Sequence, residues 1–269
     1  TQSRSSAASD VYKRQGHYLP DRVVENAEFE KTLDTTDEWI RTRSGIERRH
    51  FAAEGETTSQ MATAAARAAL DDAGMDASDL DAVIVATSTP DLTFPSAATM
   101  VQAQLGMTGG FAFDVQAVCA GFVYALTTAN ALIVAGQARR VMVIGAETFS
   151  RIMDWTDRGT CVLFGDGAGA LLLEGGEADG ASTDRGILAC DLHSDGQYRD
   201  ILYVDGGVST DTVGKLRMEG KEVFRHAIEK LAATAHAALD KAGLGADDVN
   251  WIVPHQANLR IIKGTAQRI

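Results

Sequence analysis

Two hydropathy periods alternate along the first two thirds of the chain. Apolar residues three and four apart predict an Ala-rich helix over 59–72, with Ser59 as its N-cap, and a second helix over 97–105. Short unbroken apolar runs predict strands over 82–86, 111–117, 141–144 and 167–174. Residues 120–135 are apolar on almost every side and predict a buried helix stopped at Gly136. Strands apolar at every position, alternating with helices, imply a layered α/β architecture with mostly buried sheets. Cys119 falls where the predicted strand 111–117 turns into the buried helix.

The same helix, stop, turn and strand pattern occurs twice. AALDDAGMDASDLDAVIVAT over 68–87 aligns without a gap to AALDKAGLGADDVNWIVPHQ over 237–256. The two copies share a glycine stop (Gly74, Gly243), an alanine (Ala77, Ala246), an aspartate (Asp79, Asp248) and the onset of a β-branched strand. Chance similarity of Ala-rich helices is the alternative; duplication accounts for more of the match. If the halves are duplicates, the counterparts of 141–147 and 167–174 belong beyond about position 310, whereas the chain has 269 residues. The expectation is a first half over 16–180 carrying the thiol, and a second half over 181–269 that is truncated at its C-terminus. The Ser-rich polar stretch 1–15 has no periodic apolar face and reads as foreign sequence replacing a strand or as a disordered extension, while GHYLPDRVV after it reads as ordered loop.

Composition narrows the class. With 45% hydrophobic residues, 26 Gly and 4 Pro, the chain reads as a soluble globular protein with ample core. There is no run of about 18 apolar residues and no basic-then-apolar leader, so neither a membrane partner nor secretion is indicated, and the cytoplasm is expected. Three scattered cysteines, Cys119, Cys161 and Cys190, suggest neither a disulfide framework nor a zinc site. A net charge of −12 disfavours nucleic acid as a partner but leaves room for a local basic patch.

A thiol at a helix N-terminus feels the positive end of the helix dipole and free backbone N–H groups, which favour thiolate and hence nucleophilic catalysis. The alternative is a small buried hydrophobe, which fits Cys161 in CVLF and Cys190 in ILAC better. His255 follows WIVP at the predicted strand end of the second repeat copy. A histidine so placed is either structural or catalytic, and its neighbours PHQANLR bear on which.

At PHQANLR the chain resembles the ketoacyl synthase III family of the thiolase-like superfamily, the enzymes that start bacterial fatty acid synthesis on an acyl carrier protein. The resemblance runs from Gly16 to Ile269 through GHYLPDRVV, DTTDEWIRTRSGIERRH, FPSAA, CAGF, TDRGT, FGDGAGA, MEGKEVF and HQANLRI. It implies a thiolase-like layered αβαβα fold built from two duplicated halves, the second incomplete here. It implies Cys119 as nucleophile and His255 as one of two partners, the other being an asparagine some thirty residues further on, past the last residue of this chain. Trp39 and Arg158 look like the pair that sandwiches the adenine of coenzyme A, and Arg43, Gly220, Phe224 and Asn258 match positions lining the pantetheine tunnel or gripping the nucleotide. Arg225, Arg260, Lys263 and Arg268 are expected to meet the acyl carrier protein, and Phe94 to reach across a homodimer into the partner's acyl pocket.

The reaction implied is a decarboxylative condensation of acyl-coenzyme A, acetyl foremost, with malonyl-acyl carrier protein. The coenzyme A thioester enters as substrate, and no metal or redox cofactor is required. Hydroxymethylglutaryl-coenzyme A synthases need a glutamate well before the cysteine, and none occurs between Glu56 and Glu147. Quinolone- and polyketide-type synthases of the same fold, and an inert fragment, stay open as alternatives.

Overall fold

The computed structural model describes residues 14–176 and 186–269. In chain order its elements are β1 (Gln15–Tyr18), β2 (Arg22–Glu25), α1 (Asn26–Phe29), α2 (Asp37–Ser44), β3 (Arg48–Phe51), α3 (Thr58–Ala73), β4 (Ala82–Ala86), α4 (Ala97–Leu105) and β5 (Phe111–Val115). They continue with α5 (Gly121–Val134), β6 (Arg140–Thr148), β7 (Asp166–Glu174), β8 (Leu202–Val204), β9 (Leu216–Met218), α6 (Gly220–Ala242) and α7 (Leu259–Ala266). Two compact units form from interleaved stretches of the described residues: 14–21, 52–148, 166–176 and 186–188 make the first, and 22–51, 149–165 and 189–269 the second.

The first unit is organised by a five-stranded sheet in the order β1-β7-β6-β4-β5. Strand β4 runs parallel to both β5 and β6, and β7 runs antiparallel to β6 and β1. Side chains alternate across it as the two-residue period of a strand requires. Val83 and Val85 join Met142 and Ile144 against Met61, Ala65 and Ala69 of α3 and Val101 of α4. Ala82, Ile84 and Ala86 join Val141 and Val143 against Ala125 and Ala129 of α5. Helices on both faces explain why β4 is apolar at every position.

Particular residues lock this arrangement. Asp114 on β5 accepts hydrogen bonds from Ala97 N and Ala98 N, capping α4 onto the next strand. Gly16 on β1 lies so close to the α3 backbone that a Cβ there would collide with Ala65 O and Ala69 N.

Several expectations need correction. Helix α3 starts one residue earlier than predicted, and its N-cap is Thr57, whose hydroxyl accepts from Gln60 N while Gln60 Oε1 accepts from Thr57 N. This reciprocal box satisfies two end N–H groups, which Ser59 inside the helix cannot do. Helix α5 buries Gly121, Ala125 and Ala129, but Val123 and Val134 are about half exposed, so only one face meets this unit's core. The stretch expected as loop after residue 15 forms β1 and then β2. The boundary at 15 also moves: Arg14 O accepts from Leu172 N, and its guanidinium meets Glu174 at 2.6 Å. A sheet edge is held by main-chain pairing and tolerates polar side chains, which hid this strand in a Ser-rich sequence. The rest of the stretch, 1–13, lies outside the described residues.

The second unit carries two antiparallel ribbons, β2-β3 and β8-β9, with α1, α2, α6 and α7. Its core gathers Val24, Phe29, Ile40, Phe51, Met153, Cys161 and Leu216. Arg49 is buried there: its guanidinium donates to Asn26 Oδ1 at 2.7 Å and Val162 O at 2.6 Å and lies over the Phe29 ring. The second repeat copy keeps its helix end at Gly243 and a short 3₁₀ turn over Ala246–Asp248, matching Ala77–Asp79. It does not keep the strand. Residues 251–256 pair with no strand among the described residues, and Trp251 and Val253 are 83% and 90% exposed.

Candidate active site

Cys119 occupies a 3₁₀ turn, Val118–Ala120, between the C-terminal end of β5 and the start of α5. Val118 before it has φ +48°, a left-handed conformation that a β-branched residue adopts only at a steric cost. This sharp corner turns the thiol out at the end of the parallel strands, with access to solvent. The expected lowering of its pKa is not found. Crowding by protein atoms and the nearby Glu147 carboxylate push the Cys119 thiol up, outweighing the hydrogen bond at its own backbone that favours the thiolate. Cys161 is fully buried, its thiol pushed up to about 11 by burial, and Cys190 is half-buried. The burial of Cys161 fits the structural reading of that thiol.

Glu147 went unremarked in the sequence except as the end of a glutamate-free stretch. It stands at the C-terminal end of β6, its carboxyl accepting from Ser88 N at 2.8 Å and Thr89 Oγ1 at 2.5 Å, with Thr87 Oγ1 at 3.4 Å. Burial raises it to about 7. The available signal was the single acid closing the apolar run VMVIGAE.

Three predicted residues of the second unit come together. The guanidinium of Arg43 stands 4.6 Å from the Trp39 ring centroid and that of Arg158 stands 5.1 Å from it. Trp39 is anchored by α2, whose N-cap Thr36 accepts from Trp39 N. Arg158 rides on an Asp157 turn, in which Oδ1 accepts from Gly159 N and Oδ2 from Thr160 Oγ1, both at 2.8 Å. Its guanidinium also bonds the Asp34 carbonyl and lies 3.2 Å from the Asp34 carboxylate.

Helices α6 and α7 carry the remaining predicted positions. Arg260 lies 5.1 Å over the Phe224 ring, and Asn258 caps α7 by accepting from Arg260 N. Gly220 opens α6, with only the end of Met218 near the place a Cβ would take. Arg225 is paired with Glu222 at 2.6 Å, so part of its charge is already answered. Arg260, Lys263 and Arg268 are exposed. Gly45, the left-handed C-cap of α2 at φ +79°, brings α2 against α7: a Cβ there would meet Leu259 Cβ at 2.7 Å. His255 stands just before α7, and crowding pushes its imidazole below the ordinary value, favouring the neutral ring. Phe94 of the first unit is 82% exposed. Among the described residues no group of three or more His, Cys, Asp or Glu could hold a metal ion, and no helix is long and apolar enough to cross a membrane.

Residues 113–196 match the family profile described as 3-Oxoacyl-[acyl-carrier-protein (ACP)] synthase III, and residues 239–269 match its C-terminal counterpart. A beta-ketoacyl-[acyl-carrier-protein] synthase III of Ruegeria sp. (strain TM1040) is 77% identical over 254 residues, 94% of this chain and 79% of the relative. The crystal structure of the 3-oxoacyl-[acyl-carrier-protein] synthase III from Aquifex aeolicus VF5 superposes with a TM-score of 0.87 at 43% identity, covering 98% of this chain and 80% of that one. That of the Pseudomonas aeruginosa PAO1 enzyme gives 0.89 at 40% identity, covering 98% and 79%. By sequence over nearly its whole length, and by the thiolase-like α/β fold it shares with these enzymes, the chain belongs to the beta-ketoacyl-[acyl-carrier-protein] synthase III family.

Proposed function

We propose that this chain joins an acyl-coenzyme A, acetyl foremost, to malonyl-acyl carrier protein by decarboxylative condensation, giving 3-oxoacyl-acyl carrier protein and starting fatty acid synthesis. The observation that carries the chemistry is the placement of Cys119, an exposed residue on a strained corner at the ends of parallel strands. Cys119 Sγ attacks the thioester carbon, the bond to the coenzyme A sulfur breaks, and the cysteine proton leaves with coenzyme A. Malonyl-carrier protein then loses carbon dioxide, the resulting enolate carbon attacks acetyl-Cys119, the bond from the acetyl carbon to Sγ breaks, and the product leaves with Cys119 as thiolate, which takes a proton from solvent. A neutral His255 has an N–H to offer the enolate oxygen, and a donor of this kind contributes roughly 3 kcal/mol in the transition state.

Trp39 and Arg158 hold the adenine by stacking. A flat ring between them needs about 7 Å, two van der Waals contacts, so Arg158 swings away from Trp39 and its Asp34 partner as the nucleotide enters. Arg43, Gly220, Phe224 and Asn258 line the path of the pantetheine arm, and Arg225, Arg260, Lys263 and Arg268 receive the acidic carrier protein. A homodimer is supported by β5, a sheet-edge strand bearing the stacked pair Phe111 and Phe113, and by the exposure of Phe94. The identity to synthase III relatives favours this reading over a quinolone- or polyketide-type acceptor. Incubation with acetyl-coenzyme A is expected to add one acetyl group to the intact mass at Cys119, and Cys119→Ala to abolish both this and 3-oxoacyl product. Acetyl on Cys161 or Cys190 would overturn the assignment.

A further inference from the structure

The end of β6 holds an ionisable group for which the condensation above has no use. Parallel pairing aligns Ala86 of β4 with Val115 of β5 and with Gly145 of β6. The residues just past these three strand ends therefore gather at one edge of the sheet: 87–89 after β4, Cys119 after β5, and Glu147 at the end of β6. Glu147 is fixed in that group. Ser88 N–H and the Thr89 hydroxyl donate to its carboxyl. Thr89 Oγ1 in turn accepts from Thr148 N at 2.8 Å, and Thr58 Oγ1 ties Thr148 Oγ1 to Thr89 O. Every donor to Glu147 is neutral, and no Lys or Arg is among its partners in the described residues. Its carboxylate has no counter-ion among these partners, and Cys119 stands at the same strand-end edge of the sheet, where a carboxylate opposes a thiolate.

We propose that Glu147 is a positioning residue for the acyl-transfer step: a carboxyl clamped by Ser88 and Thr89 at the same strand-end edge as Cys119, which governs how readily the cysteine acts as nucleophile. The proposal rests on the reading of Cys119 as nucleophile. Glu147 forms no bond to substrate and takes no proton in the turnover; it sets how much thiolate is present. Other charged or titratable groups near this end of β6 by position are Tyr124 on α5, Asp166 on β7, Asp91 after β4 and Arg151 in the turn that follows β6. Asp166 is turned to Ala52 N, and Asp91 to Ser59 N and Oγ. The charged residues of α3, Arg67, Asp71 and Asp72, lie toward its other end.

The test is the pH dependence of Cys119 alkylation by iodoacetamide in the full chain, with the modified cysteine located by peptide mass. In the parent protein the thiolate-dependent rate should flatten as pH rises through about 7, where Glu147 ionises. Glu147→Gln, nearly isosteric, should remove that bend and speed alkylation at about pH 8 by roughly threefold to tenfold, leaving the rate near pH 5 unchanged. Thr87→Val, which removes one donor to the carboxylate, should move the bend to higher pH. Superimposable profiles for the parent and Glu147→Gln would overturn the coupling. If Glu147→Gln does not fold, an unmoved bend in Thr87→Val overturns it instead. Acetylation by acetyl-coenzyme A is scored separately: acetyl found on a cysteine other than Cys119 overturns the nucleophile reading, and the role of Glu147 with it, whatever the alkylation profiles show.

Discussion

Burial holds the Glu147 carboxyl at about 7 against an ordinary value of 4.5, so the folded chain binds that proton more tightly than the unfolded chain does. The sign of the linkage follows. The stabilisation is complete below about pH 4.5 and is lost as pH rises through 7, a fall of about 3 kcal/mol across that window. Chemical denaturation at a series of pH values should show this decline, and Glu147→Gln should remove most of it; an unchanged slope in the variant would place the pH dependence elsewhere. Single side chains of the second unit are open to a different measurement. Because Trp39 and Arg158 stand against each other as a stacking pair, replacing either by Ala should raise KM for acetyl-coenzyme A about tenfold and leave that for malonyl-carrier protein nearly unchanged. Equal effects on both constants would remove the adenine sandwich. Four groups of its own unit, Val24 O, Asn26 Oδ1, Val162 O and the Phe29 ring, hold the Arg49 guanidinium.

At the scale of elements, the tightest constraint is the crossing of β1 over α3 at Gly16. A methyl group there has nowhere to go, since the atoms in its way are backbone, so Gly16→Ala should cost about 3 kcal/mol and lower Tm without touching the cysteine. A melting point within error of the parent would mean that the strand can lift from the helix. This strand also shows where sequence reading stops. Strand β4 and helix α4 were legible to the residue because both are covered by core, which writes their periods into the sequence as apolar positions. Strand β1 is an edge held by main-chain bonds to β7, and main-chain bonds leave no mark in hydropathy. The second repeat copy fails in the opposite sense: WIVP has strand composition, but a strand exists only by pairing, and no partner strand stands beside it in the described residues. Among the proposed site residues, Cys119 could be singled out from its junction between two readable elements, and Trp39, Arg158 and Arg260 only through motif resemblance. Glu147 was hidden because its significance depends on strand ends that are far apart in sequence and adjacent in the sheet.

For the whole molecule, the question is how a chain of net charge −12 attracts an acidic carrier protein. Screening answers it: beyond about 8 Å in physiological salt distant acids matter little, so under the docking proposed above an approaching carrier would respond to the local face of α6 and α7. Within that face the basic residues are not equivalent. Arg225 is held by Glu222 at 2.6 Å, and that pair presents little net charge. Arg260 and Lys263 sit exposed on α7 with no carboxylate partner among the described residues, and Arg260 is steadied over Phe224. Charge reversal should therefore rank by site. Arg260→Glu and Lys263→Glu should each raise KM for malonyl-carrier protein about tenfold at low ionic strength, and Arg225→Glu distinctly less. The difference from the parent should shrink as salt is added, while acetyl transfer from coenzyme A to Cys119 stays as it was. Steady-state kinetics at two ionic strengths decide it. Equal losses at all three positions would mean that the Glu222 pair opens when the carrier docks, and no loss at any would move the docking face away from α7.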